Sequence, residues 1–153
     1  MALKGLIENP VFLSVISGLF LAQLVKTIIY LLRAKFKTPR GTLEVMIWRT
    51  GGMPSSHSTM VAALTASIAF SEGLNSNLFV IALMFALVII RDALGVRRSS
   101  GIQARMLNWL GRQTSEKLHI DYRPVKEVNG HSPLEVAVGI FLGIIIAAAF
   151  SFL

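Results

Sequence analysis

Four apolar stretches alternate with polar segments along this chain. The first, residues 11–32, is long enough as a helix to cross about 30 Å of hydrocarbon. Asn9-Pro10 marks its start, and Gln23 and Lys26 interrupt its second half. The second stretch, 54–70, is rich in Ala, Ser and Thr and suits close helix packing. Glu72-Gly73-Leu74-Asn75-Ser76-Asn77 then predicts a tight reversal. The third, 78–90, is apolar throughout and ends at Arg91-Asp92. The fourth, 133–153, carries Gly139-x-x-x-Gly143, a face on which a second helix can approach closely. Between the last two lies a polar segment, 91–132. Within it Ile102, Met106, Trp109 and Leu110 recur at helical spacing, flanked by Arg105 and Arg112. That pattern predicts an amphipathic helix at the interface or capping the bundle. The expected architecture is all-α: a polytopic membrane bundle of four transmembrane helices plus an interfacial amphipathic helix, forming one domain over 1–153.

Composition strengthens the membrane assignment. Only 15% of the 153 residues are charged and 54% are hydrophobic, whereas soluble domains carry about a quarter charged residues. With no cysteine, neither a disulfide nor a thiolate metal site can form. The apolar N-terminal run is too long for a signal-peptide core, so the chain is expected to stay intact. A net charge of +7 raises nucleic acid as a partner, but the cations sit in loops between apolar spans. That placement favours lipid headgroups and phosphorylated substrates over nucleic acid. Of the 15 Lys and Arg, all but Lys4 and Lys26 fall in the two segments after the first and third spans. The positive-inside rule makes those segments cytoplasmic in a cell membrane and puts both termini outside.

An even number of spans gathers four polar features on that cytoplasmic face. These are the Lys26 end of the first span, Pro54–His57, Asp92–Arg98 and His131–Glu135. Gly51-Gly52-Met53-Pro54-Ser55-Ser56-His57-Ser58 combines serines with a proline suited to a first helical position, so it predicts a helix start able to bind an anion. An ordinary glycine loop and cap would account for it equally well. In Ser132-Pro133-Leu134-Glu135 a capping box opens the last span. His131 and Glu135 stand four apart, so the carboxylate can also fix the imidazole's tautomer. Two histidines at helix starts among cations meet the needs of phosphoryl transfer. Guanidinium, ammonium and N–H groups hold the phosphoryl oxygens, one histidine attacks phosphorus, and the other protonates the leaving oxygen. No His/Asp ligand cluster has metal spacing, so neither metal nor cofactor is expected, with Asp92 the single carboxylate that keeps a metal role open.

Pro54-Ser55-Ser56-His57 resembles the PSGH motif of the type 2 phosphatidic acid phosphatase and vanadium haloperoxidase superfamily. His131-x-x-x-Glu135-Val136-Ala137-Val138-Gly139 resembles its HxxxD-VLAG segment, with Glu for Asp. Lys26 and Arg33 have the Lys-x6-Arg spacing of its first motif, with Ala34 in place of the usual proline. Closer still is a divergent branch of small four-span proteins, matched at 51–58, at Asp92-x-x-Gly95-Val96-Arg97-Arg98 through Gln103 to Asn108, and at 130–136.

The resemblance implies a nucleophilic, transiently phosphorylated His131, His57 as the acid and Glu135 orienting His131. It implies phosphate binding by Lys26, Ser55, Ser56, Arg97 and Arg98, with Asp92, Gln103 and Arg33 in support. Gln103 and Asn108 are candidates to orient Arg97 or Arg98. Val125 stands where the third motif usually has arginine; Arg97 or Arg98 would replace it, the motif being split by the amphipathic insertion. The implied function is an integral membrane phosphatase acting on a phospholipid or prenyl phosphate or diphosphate. The missing arginine, the Glu substitution and four spans instead of six motivate an alternative, a headgroup-binding protein without turnover, such as a lipid carrier, transporter subunit or assembly factor. His119 is expected on the surface, and Gly139-x-x-x-Gly143 leaves room for a homodimer.

Overall fold

The computed structural model describes residues 2–33, 52–127 and 130–152. They form helices α1 (Ala2–Ile7), α2 (Pro10–Arg33), α3 (Ser56–Glu72), α4 (Asn77–Leu94), α5 (Val96–Leu118) and α6 (Pro133–Phe152), with no strand among the described residues. Local chemistry sets several of these ends. Asn9 Oδ1 accepts from the N–H groups of Val11 and Phe12 at 2.9 and 3.2 Å, and Pro10 takes the first helical position. Ser76 caps α4 by accepting from Phe79 N–H at 3.1 Å. α1 was not anticipated from the sequence.

Among the described residues, three helical stretches are long and apolar enough to cross a membrane: α2, the α4–α5 run, whose apolar part is α4, and α6. They fit an integral membrane protein. Their outward residues are apolar and exposed, as at Phe20, Ile81, Val88 and Phe141, which suits a hydrocarbon solvent.

The second apolar stretch departs from the other three. α3 has 17 residues, is rich in Ser and Thr, and lies at the centre of the bundle against α2, α4 and α6. Ser58, Thr59, Val61, Ala63 and Ser67 are buried there. Because its neighbours cover it, α3 needs no oily surface of its own. Its hydroxyls largely turn back to the helix: Thr59 Oγ1 donates to the Ser55 carbonyl at 2.9 Å and Thr65 Oγ1 to that of Val61 at 2.8 Å. Small neighbours let the backbones approach. A Cβ on Gly139 of α6 would fall 2.7 Å from the Ser55 carbonyl oxygen, and one on Gly143 would collide with that of Thr59. The Gly139/Gly143 face is therefore filled by α3 within the same chain, so it offers no ready surface to a second copy.

Two boundaries differ from those the hydrophobic pattern predicts. Pro54 is not the first residue of α3; Ser55 is the N-cap and the helix begins at Ser56. α4 runs through Arg91-Asp92 to Leu94, and α5 follows directly after a break at Gly95. Charge at the end of a span does not end a helix when the backbone can continue into the polar layer.

Candidate functional site at the polar end of the bundle

The start of α3 is built from buried serines. Ser55 is wholly buried; its Oγ accepts from Ser58 N–H at 3.4 Å and from Ser58 Oγ at 3.0 Å. Its own N–H donates across the bundle to the Glu135 carbonyl at 3.0 Å. Ser55 thus serves as a cap and an anchor, where the motif resemblance implied a phosphate ligand. The N–H groups of Ser56 and His57, next along the helix, have no protein partner among the described residues. Such N–H groups at a helix start favour an anion. Gly52 precedes this turn with φ +90°, a conformation glycine adopts without strain, and lies beside the stem of Lys26. Gly51 lies outside the described residues.

The start of α6 is its counterpart. Ser132 and Glu135 form the capping box: Glu135 N–H donates to Ser132 Oγ at 3.3 Å, and Ser132 N–H to Glu135 Oε2 at 3.0 Å. The same Oε2 lies 3.1 Å from His131 Nδ1. The cap and the oriented imidazole, weighed against each other from the sequence, coexist on one carboxylate oxygen. His131 is only 5% exposed, and its N–H donates to the Ala93 carbonyl at 3.3 Å.

That last bond ties α6 to the α4–α5 junction. Gly130 packs so tightly on the backbone of Arg98 that a Cβ there would overlap it. Asp92, Arg97 and Arg98 are thereby held beside His131, although the α5 segment separates them in sequence. Arg97 Nε pairs with Asp92 Oδ2 at 2.5 Å, leaving its Nη groups without a partner among the described residues. Arg97, His131, Lys26 and Asp92 all lie within electrostatic reach of His57, and Lys26 within reach of Glu135. Lys26 is 5% exposed, so α2 delivers an ammonium into the interior of this end of the bundle. Between the two arginines, Arg97 acts on His57, while the Arg98 side chain is exposed.

The remaining candidates stand apart. Gln103 is exposed and donates to Ser99 Oγ at 3.4 Å, with no hydrogen bond to Arg97 or Arg98. Asn108 is buried and holds the segment after α5: its Nδ2 donates to Val125 O at 3.0 Å and Glu127 Oε1 at 2.8 Å. Its Oδ1 accepts from Tyr122 Oη at 2.6 Å and Val125 N–H at 2.9 Å. Its side chain holds a strap and bonds neither Arg97 nor Arg98. Arg33 ends α2, and its side chain and the basic segment 34–50 lie outside the described residues. His119 is the exposed C-cap of α5, in the left-handed conformation. Ala93 contributes only a backbone carbonyl, which carries no sequence signal; Gly130 lies inside the matched stretch 130–136, but its packing on Arg98 is a tertiary feature. Among the described residues no three His, Cys, Asp or Glu side chains gather as a metal site would require.

Residues 7–146 match the family model described as the divergent PAP2 family. The chain is also 32% identical over 166 aligned positions to the uncharacterized membrane protein YuiD of Bacillus subtilis (strain 168), covering 96% of this chain and 97% of that one. No solved structure matches it. With both halves of the site inside the matched region, the chain belongs to the divergent PAP2 family.

Proposed function

We propose that this protein is an integral membrane phosphatase that hydrolyses a lipid phosphate or diphosphate through a phosphohistidine at the cytoplasmic interface. The observation that carries the proposal is the pairing of His131 Nδ1 with Glu135 beside the α3 start that bears His57. With Nδ1–H donating to the carboxylate, the lone pair sits on Nε2, which is then the attacking atom. Nε2 forms a bond to phosphorus as the bond to the leaving oxygen breaks, and His57 supplies the proton to that oxygen. Water then attacks the phosphohistidine, His57 accepts its proton, the P–N bond breaks and phosphate leaves. Lys26, Arg97, Ser56 and the N–H groups of the α3 start neutralise the phosphoryl oxygens. Ser55 shapes this cradle from behind, and Arg98 stands at its edge. In this arrangement α3 is the fourth span, α5 lies at the interface and both termini are outside.

Purified protein is to be assayed for phosphate release from phosphatidic acid, phosphatidylglycerophosphate and a prenyl diphosphate, with and without chelator. Release is expected from at least one, unaffected by chelator. His131→Ala is expected to abolish it and His57→Ala to reduce it about 10²–10⁴-fold, the scale of a general acid. Full turnover by folded His131→Ala would overturn the assignment. The Asp92–Arg97 pair, which neutralises part of the cradle, favours one second reading: lipid phosphate bound but not hydrolysed. Saturable binding with no phosphate released from any of the three would establish it.

A further inference from the structure

α5 presents surfaces that the site does not use. At about 100° per residue, Gly101, Ala104, Asn108 and Gly111 fall on one side of the helix. Asn108 and Gly111 receive the strap there, Tyr122 packing on Gly111 so closely that a Cβ would overlap its ring. On the opposite side Ile102, Met106, Trp109 and Leu110 form an apolar strip, each 48 to 57% exposed. Among the described helices only α4 packs against α5, and none of them covers this strip.

Along one edge of the strip run Arg98, Arg105 and Arg112, all exposed. They recur every seven residues, drifting only ~20° per step, so they form a row roughly 21 Å long. Arg112 also donates Nε to the Asn108 carbonyl at 3.2 Å, which holds it to the helix. Among the described residues the acids nearby are few and mostly engaged: Asp92 is taken by Arg97, Glu127 accepts from Asn108 Nδ2 at 2.8 Å on the strap side, and Glu116 stands at the far end beside Lys117.

The strip and the row together select their partner. A soluble polyanion would leave the strip in water. A second copy packed there would bring its own arginine row towards this one. A bilayer bearing anionic lipids satisfies both, with apolar side chains at the acyl boundary and guanidinium groups at the level of the phosphates.

We infer that α5 lies on the bilayer, with Arg98, Arg105 and Arg112 holding anionic phospholipid headgroups in a line that ends beside Gly130 and His131. The bilayer contact is independent of turnover. Delivery of a headgroup along the row to His131 rests on the phosphatase proposal.

The test uses the full chain with Trp48→Phe, which leaves Trp109 as the single tryptophan, reconstituted in phosphatidylcholine vesicles. A minor fraction of lipid is replaced by brominated phosphatidylglycerol or, in a parallel series, by brominated phosphatidylcholine. Both are expected to quench Trp109, the anionic lipid at roughly fivefold lower mole fraction, as basic side chains near an anionic surface require. Arg105→Gln with Arg112→Gln is expected to remove that preference while quenching by brominated phosphatidylcholine persists. Absence of quenching, which would mean water or protein covers the strip, overturns the inference. So does equal quenching by the two lipids, or a preference that survives the double substitution. Phosphate release is not read, so failure of the phosphatase proposal leaves this result standing.

Discussion

Glu135 performs two tasks with one oxygen. Oε2 accepts the Ser132 N–H of the capping box and holds Nδ1 of His131. The two tasks separate on substitution, because glutamine also serves at this position of a capping box but carries no charge for an imidazole. Glu135→Gln is therefore expected to leave thermal unfolding in detergent nearly unchanged. Phosphate release is expected to fall about 10²–10⁴-fold, as when a catalytic histidine loses its orienting carboxylate. Undiminished release from a stable Glu135→Gln protein would reduce Glu135 to a cap. This residue pair was readable in advance, since Ser-x-x-Glu and a histidine four residues before the acid are local signals. The position of Ser55 was not: its N–H is anchored on the Glu135 carbonyl of α6, far along the chain, and no local pattern reports that.

At the scale of elements, the contact between α3 and α6 decides how the two halves of the site meet. Gly143 has no room for a side chain, since a Cβ would overlap the Thr59 carbonyl and lie 2.8 Å from the Ala63 nitrogen. Both obstacles are backbone, which cannot rotate away. Gly143→Val is expected to destabilise the protein by about 1–3 kcal/mol, the scale of overpacking, or to prevent folding. Thermal unfolding in detergent measures it, with Gly5→Val as the control because nothing lies within 4 Å of a Cβ there. Equal midpoints for the two variants would contradict the close approach. The GxxxG spacing announced a tight face but not its partner, because a small-residue face fits a second copy and a neighbouring helix equally well. Asn108 was similarly opaque: an asparagine within a helical pattern does not reveal that four hydrogen bonds to a later segment await it.

For the whole molecule, the hydrophobic pattern located α2, α4 and α6 within a few residues, because lipid-facing helices must be apolar whatever they contact. It could not place α3 at the centre, since enclosure by neighbours is a tertiary property. The same pattern with the loop cations predicts sidedness, and the absence of cysteine makes this straightforward to measure. In intact cells, Asn75→Cys, in the turn between α3 and α4, is expected to react with a membrane-impermeant maleimide. Ser115→Cys on α5 is expected to react only after permeabilisation. The reverse labelling would invert the topology and place the site outside.

The closure of Arg98 on Gly130 has a consequence for how this architecture can be altered. Past Arg98 the chain continues along α5 and into the strap, and Gly130 lies back against the Arg98 backbone. An excursion whose ends already touch imposes no strain on the scaffold through its length. Changes in its length therefore need not move either histidine out of register. The membrane-facing surface of α5 and the geometry around His57 and His131 can thus change independently of one another.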